Sequence, residues 1–364
     1  MLLLWGAAGF LAHGCVPAAG TAWEWDLPSY LEPPPIPEGE SVTEEKVALG
    51  RRLFYDVRLS GNETQSCATC HEQARGFADG EATPEGSTGV VLDRNSMSLA
   101  NLGWFTSYTW PNALMDTLER QALVPLVGDT PPELHAGSDL ERVLSDMESD
   151  PWLGDAFVAA FPELDEPVGI DPIVRALAAF ERTMVSLDSP YDRYLQGDDG
   201  ALSPEAQRGL ELFEGDILGC ADCHAGPLQT TATQSNDRAE TFVNTGLYEQ
   251  YPPFALGLLE ITGEASDMGR FRVPSLRNVA VSAPYFHDGS GPDLDAVLDH
   301  YAAGGRTLEQ GPWAGDGSNN PNKDPRISGF ELGDEDRSAL LAFLDALTDP
   351  SYLSAPELSD PYGD

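Results

Sequence analysis

Two stretches decide the reading of this chain: Cys67-Ala68-Thr69-Cys70-His71 and Cys220-Ala221-Asp222-Cys223-His224. Each is a CxxCH unit, and together they hold four of the five cysteines and two of the six histidines. Two such thiols can form thioethers to the vinyl groups of one haem, and the adjoining His then lies under the iron as axial ligand. Two other readings use the same residues. A structural zinc site wants four ligands from a compact pair of motifs, but these units lie about 150 residues apart. A redox-active CxxC pair has no need of His at the next position in both copies. Two covalent haem c groups are therefore expected, on Cys67 with Cys70 and on Cys220 with Cys223. His71 and His224 are the expected proximal iron ligands.

The surroundings of the two units repeat. Before the first stands Ser41-Val42-Thr43-Glu44, a capping-box signature, and then a helical run ending in Gly50-Arg51-Arg52-Leu53-Phe54. Before the second stands Ser203-Pro204-Glu205, an N-cap with proline at the first helical position, and then Arg208-Gly209-Leu210-Glu211-Leu212-Phe213. Helix, short loop and CxxCH thus occur twice. The pattern predicts a mainly α fold of two cytochrome c-like domains, each around one covalent haem, with long loops. Further helices are expected over 138–148, 172–187, 292–302 and 335–347, and no alternating strand pattern stands out. The expected units are a signal peptide (1–22), a Pro-rich acidic lead-in (23–40), an N-terminal haem domain (41–166), a C-terminal haem domain (167–350) and a tail (351–364).

Composition narrows the function. The chain of 364 residues has 20 Lys+Arg against 60 Asp+Glu, a formal net charge of −40. That excludes nucleic-acid binding by counterion release and docking on an anionic membrane face, both of which need basic surface. Apolar residues at 41 % permit ordinary cores, and 36 Gly with 29 Pro point to a loop-rich chain. No internal run approaches the ~18 apolar residues of a membrane span. The opening MLLLWGAAGFLAHG is short and apolar and reads as an export signal, without an early Lys or Arg. Two processing outcomes fit it: cleavage near Ala19–Ala22, or a lipid anchor on Cys15, which follows a loose lipobox, Leu11-Ala12-His13-Gly14. A periplasmic or exported protein agrees with covalent haem attachment. The membrane would be reached only through that anchor.

Three further blocks carry a resemblance. Phe271-Arg272-Val273-Pro274-Ser275-Leu276-Arg277-Asn278-Val279, Ala283-Pro284-Tyr285-Phe286-His287-Asp288-Gly289-Ser290 and Arg94-Asn95-Ser96-Met97-Ser98-Leu99-Ala100-Asn101 strongly resemble the bacterial dihaem cytochrome c peroxidase/MauG family. The match runs from about residue 43 to 347. Simple peroxidases of the family carry a Met ligand about fourteen residues after the PYFH histidine; here that place holds Tyr301, as in MauG. The blocks Tyr108–Asn112 and Thr117–Pro125 look like the MbnH branch, whose enzymes oxidise a tryptophan on a partner of the MbnP kind. Thr109-Trp110-Pro111-Asn112-Ala113 departs from the Phe-Trp-Asp-Gly-Arg usual in peroxidases.

The resemblance implies a role for each of the following residues. Tyr301 is the distal ligand of the second haem, with its neighbour His300 and Met268 as rivals; adjacent helix positions point about 100° apart, so only one of 300 and 301 can face an iron. Glu133 is the acid–base that moves a peroxide proton, Gln121 a hydrogen-bonding pocket residue and Pro125 a residue crowding the same pocket. His135 is a rival that could ligate the first iron in a resting state. Trp110, fifteen residues after Asn95, couples the haems. Asn95, Ser282 and Pro284 hold one Ca²⁺ between them, Asn95 through its side chain and the other two through carbonyls. His287 is structural or binds a propionate. MauG has a surface tryptophan two places before its second CxxCH, where this chain has Leu218, so an electron route to a partner must differ.

Three functions follow. The first is a dihaem oxidase that uses hydrogen peroxide to form a bis-Fe(IV) state and oxidises a tryptophan on a secreted MbnP-like protein to kynurenine, by long-range electron transfer. The second is a cytochrome c peroxidase that reduces hydrogen peroxide with electrons from a small donor protein. Tyr301 disfavours it, because an anionic ligand lowers the haem potential. A plain electron carrier would leave Gln121 and Glu133 unexplained.

Overall fold

The computed structural model describes residues 20–233 and 237–363. Its helices are α1 (Glu44–Phe54), α2 (Cys67–Cys70), α3 (Leu118–Val127), α4 (Leu140–Ser149), α5 (Pro151–Ala160), α6 (Ile170–Arg182), α7 (Pro190–Leu195), α8 (Pro204–Glu214), α9 (Arg238–Thr241), α10 (Leu259–Thr262), α11 (Leu294–Ala303) and α12 (Asp334–Asp345). Two antiparallel pairs of two-residue strands, β1 (Phe242–Val243) with β2 (Phe271–Arg272) and β3 (Thr307–Leu308) with β4 (Gly315–Asp316), are the only named strands among the described residues. The fold is mainly α, as the repeated motif predicts.

The repeat is visible as two helix pairs. In the first, Thr43 caps α1 by accepting from the Lys46 amide, with Glu44 and Glu45 in the opening turn and Arg51 and Arg52 in the closing one, the charge order the helix dipole favours. The α1 helix crosses α6 so closely that a Cβ on Gly50 would overlap the Ala176 carbonyl and crowd Phe180. In the second, Ser203 caps α8, which crosses α12; a Cβ on Gly209 would overlap the Ala339 carbonyl and crowd Phe343. Glycine is required at both crossings because any side chain would push the helices apart. Leu53, Phe54, Phe157 and Phe180 fill the first core; Leu210, Phe213, Leu340 and Phe343 fill the second.

The core corrects three boundaries. Ten of the thirteen residues of α6 are buried, and they pack in the first core although they follow the expected division at 166/167. The main run of the first core ends at Met184 and the second core begins at Tyr191; Ala232, Tyr352 and Leu358 join the first core from later in the chain. Helix α6 stops at Arg182 rather than 187, where the Thr183 hydroxyl donates to the Phe180 carbonyl. The segment read as a tail straps back onto the first half: Tyr352 and Leu358 are buried there, and Arg51 donates to the Ser359 carbonyl at 2.7 Å.

The lead-in is extended and docked. Trp104 Nε1 donates to the Glu32 carbonyl at 2.8 Å, and the Tyr30 hydroxyl donates to Asp192 at 2.9 Å. Asp192 also forms a fully buried ion pair with Arg277 at 2.6 Å, which ties the lead-in, α7 and the RVPSLR stretch into one junction. Removing one partner of such a pair costs about 3–5 kcal/mol. The expected signal segment, with Cys15, lies outside the described residues apart from 20–22. No helix among the described residues is long and apolar enough to cross a membrane.

Candidate functional site: two CxxCH centres

In the first half the loop from α1 leads into α2, whose single turn carries Cys67 and Cys70. His71 follows as the turn ends, and its Nδ1 lies 2.8 Å from the Phe77 carbonyl. That bond fixes the tautomer with the proton on Nδ1 and leaves Nε2 as a free lone pair. In the second half Gly219, at φ +65°, turns the chain into a 3₁₀ turn bearing Cys220, and Nδ1 of His224 lies 3.3 Å from the Gln229 carbonyl. Burial pushes both histidines below the usual imidazole range, His224 to about 4, so both are neutral. No disulfide joins the four CxxCH cysteines, and burial raises their thiols before any haem is attached, Cys70 to about 12 and Cys220 and Cys223 to about 11. The sites thus present paired thiols beside neutral imidazoles oriented through their second nitrogen.

Cys220, Cys223, His224 and Tyr301 line one hollow, which holds about 2000 Å³ of space out to its open mouth. Two observations test whether a haem suits it. Arg272 is 2 % exposed and lies on the wall with Nε and Nη1 unpaired; its Nη2 meets only Met97 Sδ at 3.2 Å. Burial pulls its guanidinium down to about 9. His287, also on the wall and buried, has an unpaired Nε2. Unpaired polar groups are rare in buried positions, and a large group with anionic carboxylates would satisfy this pair. The residues therefore fit a haem. No local sequence pattern marks Arg272 for a role; its burial on this wall gives it one.

On α11, Tyr301 faces the hollow while His300 packs edge-on against Phe286 and has both ring nitrogens unpaired. Burial raises the Tyr301 phenol above its ordinary value, so a phenolate there requires an adjacent cation. Met268 packs with Tyr248 and Tyr251 in a separate apolar cluster. Trp110 lines the same hollow, and its indole N–H donates to the Asn95 carbonyl at 2.8 Å. Asn95, Ser282 and Pro284 all line that hollow, from two segments of the chain.

In the first half α3 carries Gln121 and Pro125, and the Pro125 carbonyl accepts from Leu134 N at 2.9 Å. This bond pins the chain beside Glu133, whose carbonyl accepts from Ser87 N at 2.8 Å. Burial alone pushes the Glu133 carboxyl up to about 7, and the Cys67 and Cys70 thiols respond to its charge. A carboxyl balanced between its two forms near neutral pH can both take and return a proton. His135, at φ +54°, turns its Nδ1 to Asp129 at 3.2 Å.

The matches to known proteins agree with this arrangement. Residues 44–200 match the family model described as di-haem cytochrome c peroxidase. The chain is 34 % identical to the methylamine utilization protein MauG of Methylorubrum extorquens over 325 residues, covering 89 % of this chain and 84 % of that protein. It is 36 % identical to the cytochrome c551 peroxidase of Pseudomonas aeruginosa, over 72 % of this chain and 75 % of that one. A solved MauG-like protein associated with microbial copper homeostasis superposes with a TM-score of 0.89 at 44 % identity, covering 94 % of this chain and all of that one. The chain belongs to the dihaem cytochrome c peroxidase/MauG family. It is a peroxide-dependent dihaem oxidoreductase.

Proposed function

We propose that this enzyme uses hydrogen peroxide to oxidise a tryptophan on an exported partner protein, of the MbnP kind, to kynurenine. The observation that carries this reading is Tyr301, half-buried and lining one hollow with Cys220, Cys223 and His224. The likeness to a MauG-like protein of copper homeostasis supports it.

The two haems supply iron for peroxide and for holding oxidising equivalents, one on Cys67, Cys70 and His71 and one on Cys220, Cys223 and His224. Glu133 takes the proton from one peroxide oxygen and returns it to the other, which favours breaking the O–O bond. Gln121 holds the peroxide by a hydrogen bond, and Pro125 narrows the space so that only a small oxidant enters. Tyr301 supplies an anionic oxygen that favours the oxidised state of the second centre. Trp110, on the wall of the second hollow, carries electrons between the centres. Asn95, Ser282 and Pro284 supply oxygen ligands to one Ca²⁺. A folded partner cannot enter either pocket, so its tryptophan loses electrons from a distance, two for each peroxide; conversion to kynurenine takes four electrons and hence two peroxides, with water supplying the oxygen and the lost ring carbon leaving as formate. The charge of −40 steers a partner with a basic face. The protein works in the periplasm or outside the cell, free or held by a lipid on Cys15.

The likeness to cytochrome c551 peroxidase favours a second reading, peroxide removal with electrons from a small donor. One assay separates them. The purified partner, peroxide and catalytic enzyme are incubated and the partner is weighed by mass spectrometry. The mass change of one tryptophan becoming kynurenine supports the first reading. Rapid peroxide consumption with reduced cytochrome c and an unchanged partner supports the second.

A further inference from the structure

Remote oxidation needs a path to the surface, and Leu218 has no oxidisable ring. The wall of the second hollow holds a different line of rings. Trp110, Phe271 and His287 line the hollow. His287 lies flat on Phe271 with centroids 3.5 Å apart, and Trp110 meets His287 edge-on at 6.5 Å. Behind them Tyr251 lies 6.4 Å from His287, and Tyr248 lies 5.4 Å from Tyr251. Tyr248 and Tyr251 belong to an apolar cluster against which both Trp110 and Trp313 pack. Trp313 is partly exposed and meets Phe254, which is 45 % exposed, at 6.4 Å. Rings therefore run from the hollow to the outside.

The two tyrosines differ in where a proton can go. A phenol gives up an electron readily only when its proton leaves with it. The Tyr248 hydroxyl donates to Asp288 Oδ2 at 2.6 Å, a short charge-assisted bond to a group that can accept the proton. The Tyr251 hydroxyl donates to Asn244 Oδ1 at 2.9 Å, and an amide is no such acceptor. The Arg306 guanidinium sits over the Tyr248 ring at 4.5 Å, which opposes electron loss, but it also lies 3.5 Å from Asp288 and, after His287 and the hydrogen bonds from Ser290 and Tyr248, helps hold that carboxyl below its ordinary range. The bond at 2.6 Å is the closer of these contacts and moves the proton itself, so it decides the balance.

We propose that Trp110, His287, Tyr251 and Tyr248 form the path along which electrons leave the partner, with Tyr248 as the radical way-station and the Trp313–Phe254 edge as the exit. This rests on the remote-oxidation reading above. In each passage Tyr248 loses one electron toward Trp110 and the hollow while its phenol proton moves to Asp288. An electron from the partner side then reduces the Tyr248 radical, and the proton returns from Asp288. Two passages, with two protons from solvent, reduce one hydrogen peroxide to two waters and leave the partner oxidised by two electrons.

The test uses the full-length holoenzyme with hydrogen peroxide. Rapid-freeze EPR without partner shows a tyrosyl radical, narrowed by ring-deuterated tyrosine, that Tyr248→Phe removes and Tyr251→Phe retains. Mass spectrometry of the same samples finds oxygen added to Trp313, and less of it in Tyr248→Phe. With partner, Tyr248→Phe slows modification by about tenfold or more. Tyr30→Phe, whose hydroxyl also meets a carboxylate but far from the path, matches wild type. Haem content by mass checks that each variant is folded and loaded. Wild-type modification rate and an unchanged radical in Tyr248→Phe overturn the path. A Tyr248 radical and Trp313 oxidation in an enzyme that modifies no partner keep the path and overturn the function it serves.

Discussion

Gly50 lies against the Ala176 carbonyl and Gly209 against the Ala339 carbonyl, each on a helix that leads by a loop to a CxxCH unit. The two halves are in this respect one design made twice. They part at what surrounds the histidine. Around Cys67 and Cys70 the distinctive group is Glu133, a half-buried carboxyl near neutral pKa, beside the proline-bearing α3. Around Cys220 and Cys223 it is Tyr301, with Arg272 and Trp110 on the same wall. A repeated helix pair can therefore hold two centres with different tasks, because the groups that set the task come from other segments: 117–135 for one, and Trp110 with 271–301 for the other.

The comparison breaks most completely if the attachment sites are removed. Wild type is expected to weigh as the mature chain plus two haems, and Cys220→Ala with Cys223→Ala to carry one. A wild-type protein with one haem or none would overturn the premise. Tyr301→His is expected to keep both haems by mass but to lower partner modification by about a hundredfold or more. An unchanged rate in that variant would make the second centre an ordinary one.

Glu133→Gln sharpens the contrast from the other side. The peroxide reaction is expected to slow by about 10²–10⁴-fold, measured by stopped flow. The carboxyl is protonated below about pH 7 and cannot take the peroxide proton, so the wild-type rate rises with pH through that value. The variant should lose this rise; a Glu133→Gln profile that follows wild type would assign the limb to another group. The smallest effects concern the scaffold. Gly50→Ala and Gly209→Ala should each destabilise the holoprotein by about 1–3 kcal/mol in denaturant melts, by similar amounts. A large loss at one and none at the other would mean that the helix pairs are not equivalent.

Much of this was legible in the chain. CxxCH spacing fixes the attachment residues, and the capping signatures place α1 and α8, since both are local patterns. The position of Tyr301 on its helix was legible only through likeness to a family; the turn of α11 then shows it facing the hollow and His300 facing Phe286. The assignment of α6 to the first core was hidden, because its apolar face says that it packs and not against which partner. Arg272 and the Tyr248–Asp288 bond were hidden for the same reason: burial and pairing across 40 residues leave no mark in local sequence.

The difference between the two centres is tested most directly by EPR of the resting, oxidised holoenzyme. A high-spin ferric haem over His71, open for peroxide, together with a low-spin haem held by His224 and Tyr301, is the expected result. Two low-spin haems with His/His or His/Met ligation would contradict it and remove Tyr301 from its place in the account.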